Sequence, residues 1–144
     1  ATANLFAWVI TIEGIASAAS DFLLNTAGGS SVIFLLLVNI ILLIAGCVID
    51  GTSALYIMSP IMMPVAVKLG YDPLVLGVVM VMNLAIGMVT PPVGINLYVA
   101  CGISGVKFKD IIKAVWPFVI ASIGALALVT YIPILSQFLP NMMK

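Results

Sequence analysis

The chain has 144 residues, 64% of them hydrophobic and 7% charged, and a mean hydropathy of +1.34, more apolar than a soluble domain can present to water. Five acidic residues balance five lysines, and arginine and histidine are absent. That excludes a basic face for nucleic acid, guanidinium clamps on carboxylate or phosphate, imidazole bases and the usual zinc sites, and with them much enzyme chemistry; an integral membrane protein is expected, and no enzyme.

The first residues carry no charged leader ahead of an apolar stretch and cleavage site, so no signal peptide is expected. The apolar material amounts to only a handful of membrane passes, so a fragment of a longer chain, or one of several separate pieces, is expected. Residues 1–30 read as an initial helix and an interfacial segment, in which Glu13, Ser17, Ser20 and Asp21 interleave with apolar positions and Thr11 with Glu13 marks a second start.

Residues 31–67 read as a helical hairpin with its tip at 50–53. The first arm, 31–49, is uncharged and about 28 Å long as a helix. Asp50-Gly51-Thr52-Ser53 follows at once, and the second arm, 54–67, carries Pro60 and Pro64 and is about 21 Å long, short for a full crossing. Lys68 to Pro73 forms a polar turn: Gly70 suits a helix C-terminus, Lys68 its negative dipole end, and Pro73 the first position of the next helix.

Residues 73–103 are uncharged and would be about 46 Å long as one helix, more than a bilayer core demands. Pro91 and Pro92 remove two backbone donors and Gly94 adds freedom. A discontinuous transmembrane helix is expected, broken near 88–93, stopping near Met88 and resuming after Pro92. Residues 111–139 read as a final transmembrane helix. If the 31–67 hairpin is re-entrant, Lys107, Lys109 and Lys113 mark the cytoplasmic side, with Lys68 on the other.

Broken backbone survives in lipid only where protein buries it or a cavity wets it. Two interruptions in one unit therefore imply a lined cavity, and Asp50 at membrane depth is a candidate for an ion or substrate path; the plainer role is a cap on the helix after Gly51. A broken helix offers carbonyls at one end and N–H groups at the other, one place for a cation and another for an anion. Sodium fits there, because backbone carbonyls with Thr52, Ser53, Thr90 or Asn96 supply oxygen ligands; the plainer role of the prolines is a structural kink. Asn39 and Asn83 suit an interhelical hydrogen bond, Met58, Met62, Met63, Met80 and Met82 suit packing, and Cys47 and Cys101 read as small buried thiols.

FAWVIT, GCVIDGTSALYIMSPIMMPVA, GVVMVMNLAIGMVTPPVGINLYVACGI and PILSQFLP together resemble the C-terminal half of the large membrane (permease) subunit of tripartite ATP-independent periplasmic (TRAP) transporters. The resemblance covers almost the whole chain. It implies the second inverted repeat of an elevator-type secondary transporter in a bacterial or archaeal cytoplasmic (inner) membrane. The activity it implies is sodium-driven import of organic acids such as C4-dicarboxylates or sialic acid. The partners it implies are the N-terminal half of the large subunit, a small membrane subunit, a periplasmic substrate-binding protein and membrane lipid.

By that resemblance, a sodium (Na+) site takes Gly46, Asp50, Thr52, Ser53, Gly87, Met88, Thr90 and Pro91, and the carboxylate substrate meets Ser53, Pro92, Gly94 and Asn96. The departure from the family is length, since the preceding repeat with its own hairpin is not in the sequence. An intramembrane aspartyl protease would need a second carboxylate at depth, and only Asp50 is placed for one. An ion channel also uses broken helices, and a purely structural membrane subunit would tolerate substitution at the break.

Overall fold

The computed structural model describes residues 12–134 together with 5, 8, 9, 136 and 137. Among these residues it is all-α, with six helices: α1 Ile15–Ala27, α2 Ser31–Val48, α3 Gly51–Lys68, α4 Pro73–Gly87, α5 Ile95–Ser104 and α6 Phe108–Tyr131. Glu13 and left-handed Gly14 turn the chain ahead of α1, so this helix starts later than the Thr11–Glu13 signal places it. Thr11 itself lies outside the described residues.

Helices α2 and α3 have 18 residues each and are joined only by Ile49 and Asp50. At the far end the Ser31 hydroxyl donates to the Leu69 carbonyl at 3.2 Å, so the start of α2 meets the end of α3. The second arm is longer than the 21 Å expected: at 18 residues it reaches about 27 Å. The cause is local. Asp50 is extended and its Oδ2 accepts the Ser53 amide at 2.9 Å, which caps α3 and draws Gly51, Thr52 and Ser53 into it. The helix then passes through Pro60 and Pro64 unbroken, and Ser20 of α1, a buried hydroxyl, lies 2.7 Å from the Ile61 carbonyl on that stretch.

Asp72 accepts the Leu74 amide at 2.8 Å and Pro73 occupies the first turn, which opens α4. The helix ends at Gly87, and regular helix returns only at Ile95. Helix α6 opens at Phe108, before the expected 111, with Asp110 in its first turn where a carboxylate suits the dipole. It closes at Tyr131 rather than 139, because Pro133 pushes Ile132 out of helical angles, to φ −122° and ψ 79°. Helices Ser31–Val48 and Phe108–Tyr131 are long and apolar enough to cross a membrane, and α4 and α5 are shorter apolar helices.

Helix α4 lies between two cores. On one side its Leu76, Met80 and Leu84 pack with Phe34, Val38 and Leu42 of α2 and Met62 and Val65 of α3. On the other its Val75, Val79 and Ile86 meet Val119 and Leu126 of α6. A polar chain crosses the same layer: Asn83 donates to Asn39 Oδ1 at 2.7 Å and to the Val79 carbonyl at 2.8 Å, and Asn39 donates to Thr130 Oγ1 at 3.3 Å. The Tyr71 hydroxyl donates to the Thr130 carbonyl at 3.0 Å; burial, with the Asp72 carboxylate beside it, pushes this phenol up to about 12, so it keeps its proton at any physiological pH.

Removing Asn39 takes a hydrogen-bond partner from Asn83, which is fully buried. Asn39→Leu is expected to destabilise the permease by about 1–3 kcal/mol, and the double substitution Asn39→Leu/Asn83→Leu by less than the sum of the two single ones. Thermal unfolding of the four proteins in detergent measures this coupling, and strictly additive losses would refute it.

Candidate functional site

The hairpin tip and the helix break meet through glycine. A Cβ on Gly87 would lie 2.7 Å from both Cα and the carbonyl carbon of Gly46 and 2.9 Å from the Leu43 carbonyl oxygen; a Cβ on Gly46 would lie 3.0 Å from the Leu84 carbonyl oxygen and 3.2 Å from Gly87 Cα. The last turns of α2 and α4 therefore touch backbone to backbone, as small residues allow between membrane helices. The structure gives these two glycines, both expected at the ion site, a packing role that the local sequence pattern does not carry.

Beyond Gly87 the backbone is irregular but tied. The amides of Val89 and Thr90 donate to Ile86 and Gly87 at 3.1 and 2.9 Å, and the Thr90 hydroxyl donates to the Ile86 carbonyl at 2.6 Å. The Pro91–Pro92 peptide is cis. Gly94 takes φ +55°, and a Cβ there would come within 2.9 Å of Leu97, so the chain turns into α5 at Gly94 and helix resumes at Ile95, past the expected restart after Pro92. The Asn96 amide then donates across the break to the Met88 carbonyl at 3.2 Å.

Two crevices flank the glycine contact. One, of about 260 Å³, is lined by Gly51, Thr52 and Leu55 of α3 and by Leu84, Ala85 and Met88. The other, of about 310 Å³, is lined by Leu43, Cys47 and Val48 of α2 and by Thr90, Pro91 and Pro92. The expected site residues are thus divided: Thr52 and Met88 share the first crevice, Thr90, Pro91 and Pro92 the second, and Gly46 and Gly87 form the contact between them. Asp50, Ser53, Gly94 and Asn96 line neither crevice. Asp50 is exposed and serves as the α3 cap, and Asn96 contributes its backbone amide. Ala85 is a wall residue that the sequence reading did not name, since a small apolar side chain carries no chemical signal; Cys47, read as a small buried thiol, is another.

Because the cap needs an acceptor and not a charge, Asp50→Asn is expected to keep the Ser53 amide protected from hydrogen exchange, and Asp50→Ala to expose it. Exchange mass spectrometry over 51–56 reads the difference. Equal protection in both variants would show that the cap does not hold the tip.

Apolar helices with outward-facing Ile33, Leu36, Ile44, Phe118 and Ile120 and irregular backbone at a helix end packed against another define a membrane-embedded protein of the class to which permeases belong. Residues 1–135 match the family model described as the tripartite ATP-independent periplasmic transporter, DctM component. The chain belongs to this family. Its curated relatives include the C4-dicarboxylate TRAP transporter large permease protein DctM of Rhodobacter capsulatus, 45% identical over 98% of this chain and 32% of the relative. The isethionate TRAP transporter permease protein DctMQ of Oleidesulfovibrio alaskensis is 37% identical over 94% of this chain and 21% of its own length. The sialic acid TRAP transporter large permease protein SiaM of Vibrio cholerae is 33% identical over 96% and 32%. The chain thus spans about a third or less of these relatives, which are permeases and not enzymes.

Proposed function

We propose that this chain is the second inverted repeat of an elevator-type secondary transporter and supplies half of the site for sodium-coupled import of an organic acid. The observation that carries the reading is the Gly46–Gly87 contact. Around it the C-termini of α2 and α4 come together with the N-termini of α3 and α5: Met88 faces Gly51 and bonds Asn96. Carbonyl ends favour a cation and N–H ends an anion. The α2–α3 pair is then a re-entrant hairpin, and α4 with α5 is one discontinuous helix.

The oxygen chemistry suits sodium. Thr90 spends its proton on the Ile86 carbonyl, which leaves the hydroxyl lone pairs open, and the Met88 carbonyl, with one bond accepted from Asn96, keeps a second lone pair. The ion sits among Gly87, Met88, Thr90 and Pro91, and loading draws onto it the tip residues Gly46, Asp50, Thr52 and Ser53, which do not share one crevice with it in this structure. The substrate carboxylate meets Ser53, Pro92, Gly94 and Asn96, where the positive dipole ends of α3 and α5 favour an anion in place of arginine. Sodium orders the break, substrate neutralises the anion site, and the loaded unit crosses as a body; the coupling requires the sodium-only state to move poorly.

The relatives named for C4-dicarboxylate and sialic acid support a carboxylate cargo, and the one named for isethionate, a sulfonate, keeps the class as wide as organic acids. The remaining N-terminal half of the large subunit, a small membrane subunit and a periplasmic binding protein complete the machine in the inner membrane. Uptake of labelled succinate and of sialic acid into proteoliposomes holding the complete complex, with and without an inward sodium gradient, tests the reading. Saturable uptake that needs the gradient supports it. Uptake indifferent to sodium removes the coupling, and unsaturable ion flux points to a channel.

A further inference from the structure

Helix α6 has one face that the rest of the chain leaves uncovered. Lys109, Lys113, Trp116, Ile120, Ile123 and Tyr131 follow one another at three- and four-residue steps, with one longer step before Tyr131, and so share a stripe. All six are exposed, Trp116 by 46% and Ile120 by 63%. The face that buries Val119, Leu126 and Thr130 points elsewhere, toward α4 and the asparagine pair.

The stripe changes character along its length. Two lysines come first, then an indole, then aliphatic side chains, then a phenol. Lys113 and Tyr131 are about 27 Å apart along the axis, close to the roughly 30 Å of a hydrocarbon core. Indole and phenol rings settle at the headgroup level on either side of that core. A protein neighbour gives no reason for such a gradation, whereas a bilayer imposes it, since polarity there is a function of depth.

The cationic end is also rich in unpaired charge. Lys107, Lys109 and Lys113 are three of the chain's five cations, all are exposed, and among the described residues the ion pair present is Lys68 with Asp21, on another part of the molecule. Asp110, in the first turn, lies about 100° round the helix from Lys109, and Lys107 stands just ahead of that turn as its N-cap residue, so one carboxylate offsets part of the charge of three lysines. Exposed Ile103 and Val106 flank the cluster, and the Tyr98 and Phe108 rings, stacked 4.5 Å apart at 17°, clasp α5 to the start of α6. The result is a braced platform carrying positive charge beside apolar side chains.

We propose that this face of α6 is a lipid-facing boundary of the permease, and that Lys107, Lys109 and Lys113 bind the phosphates of anionic phospholipids there. The acyl chains lie along Ile120 and Ile123, and Trp116 marks the glycerol level. The binding is independent of which substrate or ion the transporter carries.

Two measurements on the complete complex test this. In the first, a benzophenone amino acid at position 120 is irradiated in native membranes. Lipid adducts are expected, and crosslinks to another polypeptide chain or to the remainder of the large subunit would overturn the assignment in favour of a protein contact. In the second, the complex is purified from bilayers of phosphatidylglycerol and phosphatidylcholine, and retained lipid is counted by native mass spectrometry. Retained phosphatidylglycerol is expected to fall by about fivefold for each lysine changed to glutamine, with phosphatidylcholine unchanged and inorganic phosphate unable to displace it. Equal retention in wild type and the triple variant Lys107→Gln/Lys109→Gln/Lys113→Gln would overturn the headgroup site, as would displacement by inorganic phosphate.

Discussion

Gly87→Ala is expected to abolish uptake and to lower the thermal stability of the complex more than any other single methyl addition in this chain. The added carbon would meet Gly46 Cα and carbonyl carbon at 2.7 Å, and neither is the yielding end of a side chain. Relief requires α2 and α4 to separate, which overpacking data put at about 1–3 kcal/mol or more, and separation also opens the seam between the two crevices. Gly46→Ala meets its nearest atom at 3.0 Å and should lose less. Gly124→Ala on α6 meets nothing within 4 Å and should match wild type in both melting temperature and uptake. The ordering Gly87, then Gly46, then Gly124 is the result to look for; indifference at Gly87 would mean that hairpin and break do not touch in the working protein.

Thr90→Ala is expected to raise the sodium concentration for half-maximal uptake by about tenfold or more, since hydrogen bonds and ligation involving a charge are worth about 1.5–3 kcal/mol. The hydroxyl does two jobs. It donates to the Ile86 carbonyl at 2.6 Å, which ties the first residues of the break, and its lone pairs are then left for an ion. Thr90→Ser keeps both jobs and should lie near wild type, while Thr90→Val keeps the shape and loses both. A fold defect alone would lower maximal uptake at every sodium concentration. A shifted sodium dependence with an unchanged maximum at saturating sodium marks loss of a ligand.

The apolar runs and their interruptions are legible because helix length is set by 1.5 Å per residue, and proline with glycine announces where regular backbone fails. On that ground the sequence reading starts a helix at 31, breaks one near 88–93 and starts the last at 111; the structure has α2 from Ser31, regular helix interrupted between Gly87 and Ile95, and α6 from Phe108. The second arm of the hairpin is less legible: two prolines argue for a short helix, but the Asp50 cap lies before them and adds a turn, and the interior prolines do not break the helix. The glycine contact is invisible to local reading, because Gly46 and Gly87 are far apart in the chain and nothing in either heptad names the other. The division of Thr52 and Thr90 between two crevices follows from that contact, and is therefore equally hidden. Asn39 and Asn83 could be read as a pair, since an amide on an apolar helix needs a partner; the third member, Thr130, gives no such signal.

The asparagine chain has a consequence for watching the molecule work. Because Asn83 bonds Asn39 on one side and Asn39 bonds Thr130 on the other, α2, α4 and α6 are riveted into one piece. Spin labels placed on Leu36 and Ile123, both on outward faces, should therefore return a single narrow distance whatever ligand is added. That pair is a built-in ruler, against which any broadening between this piece and the rest of the transporter can be calibrated.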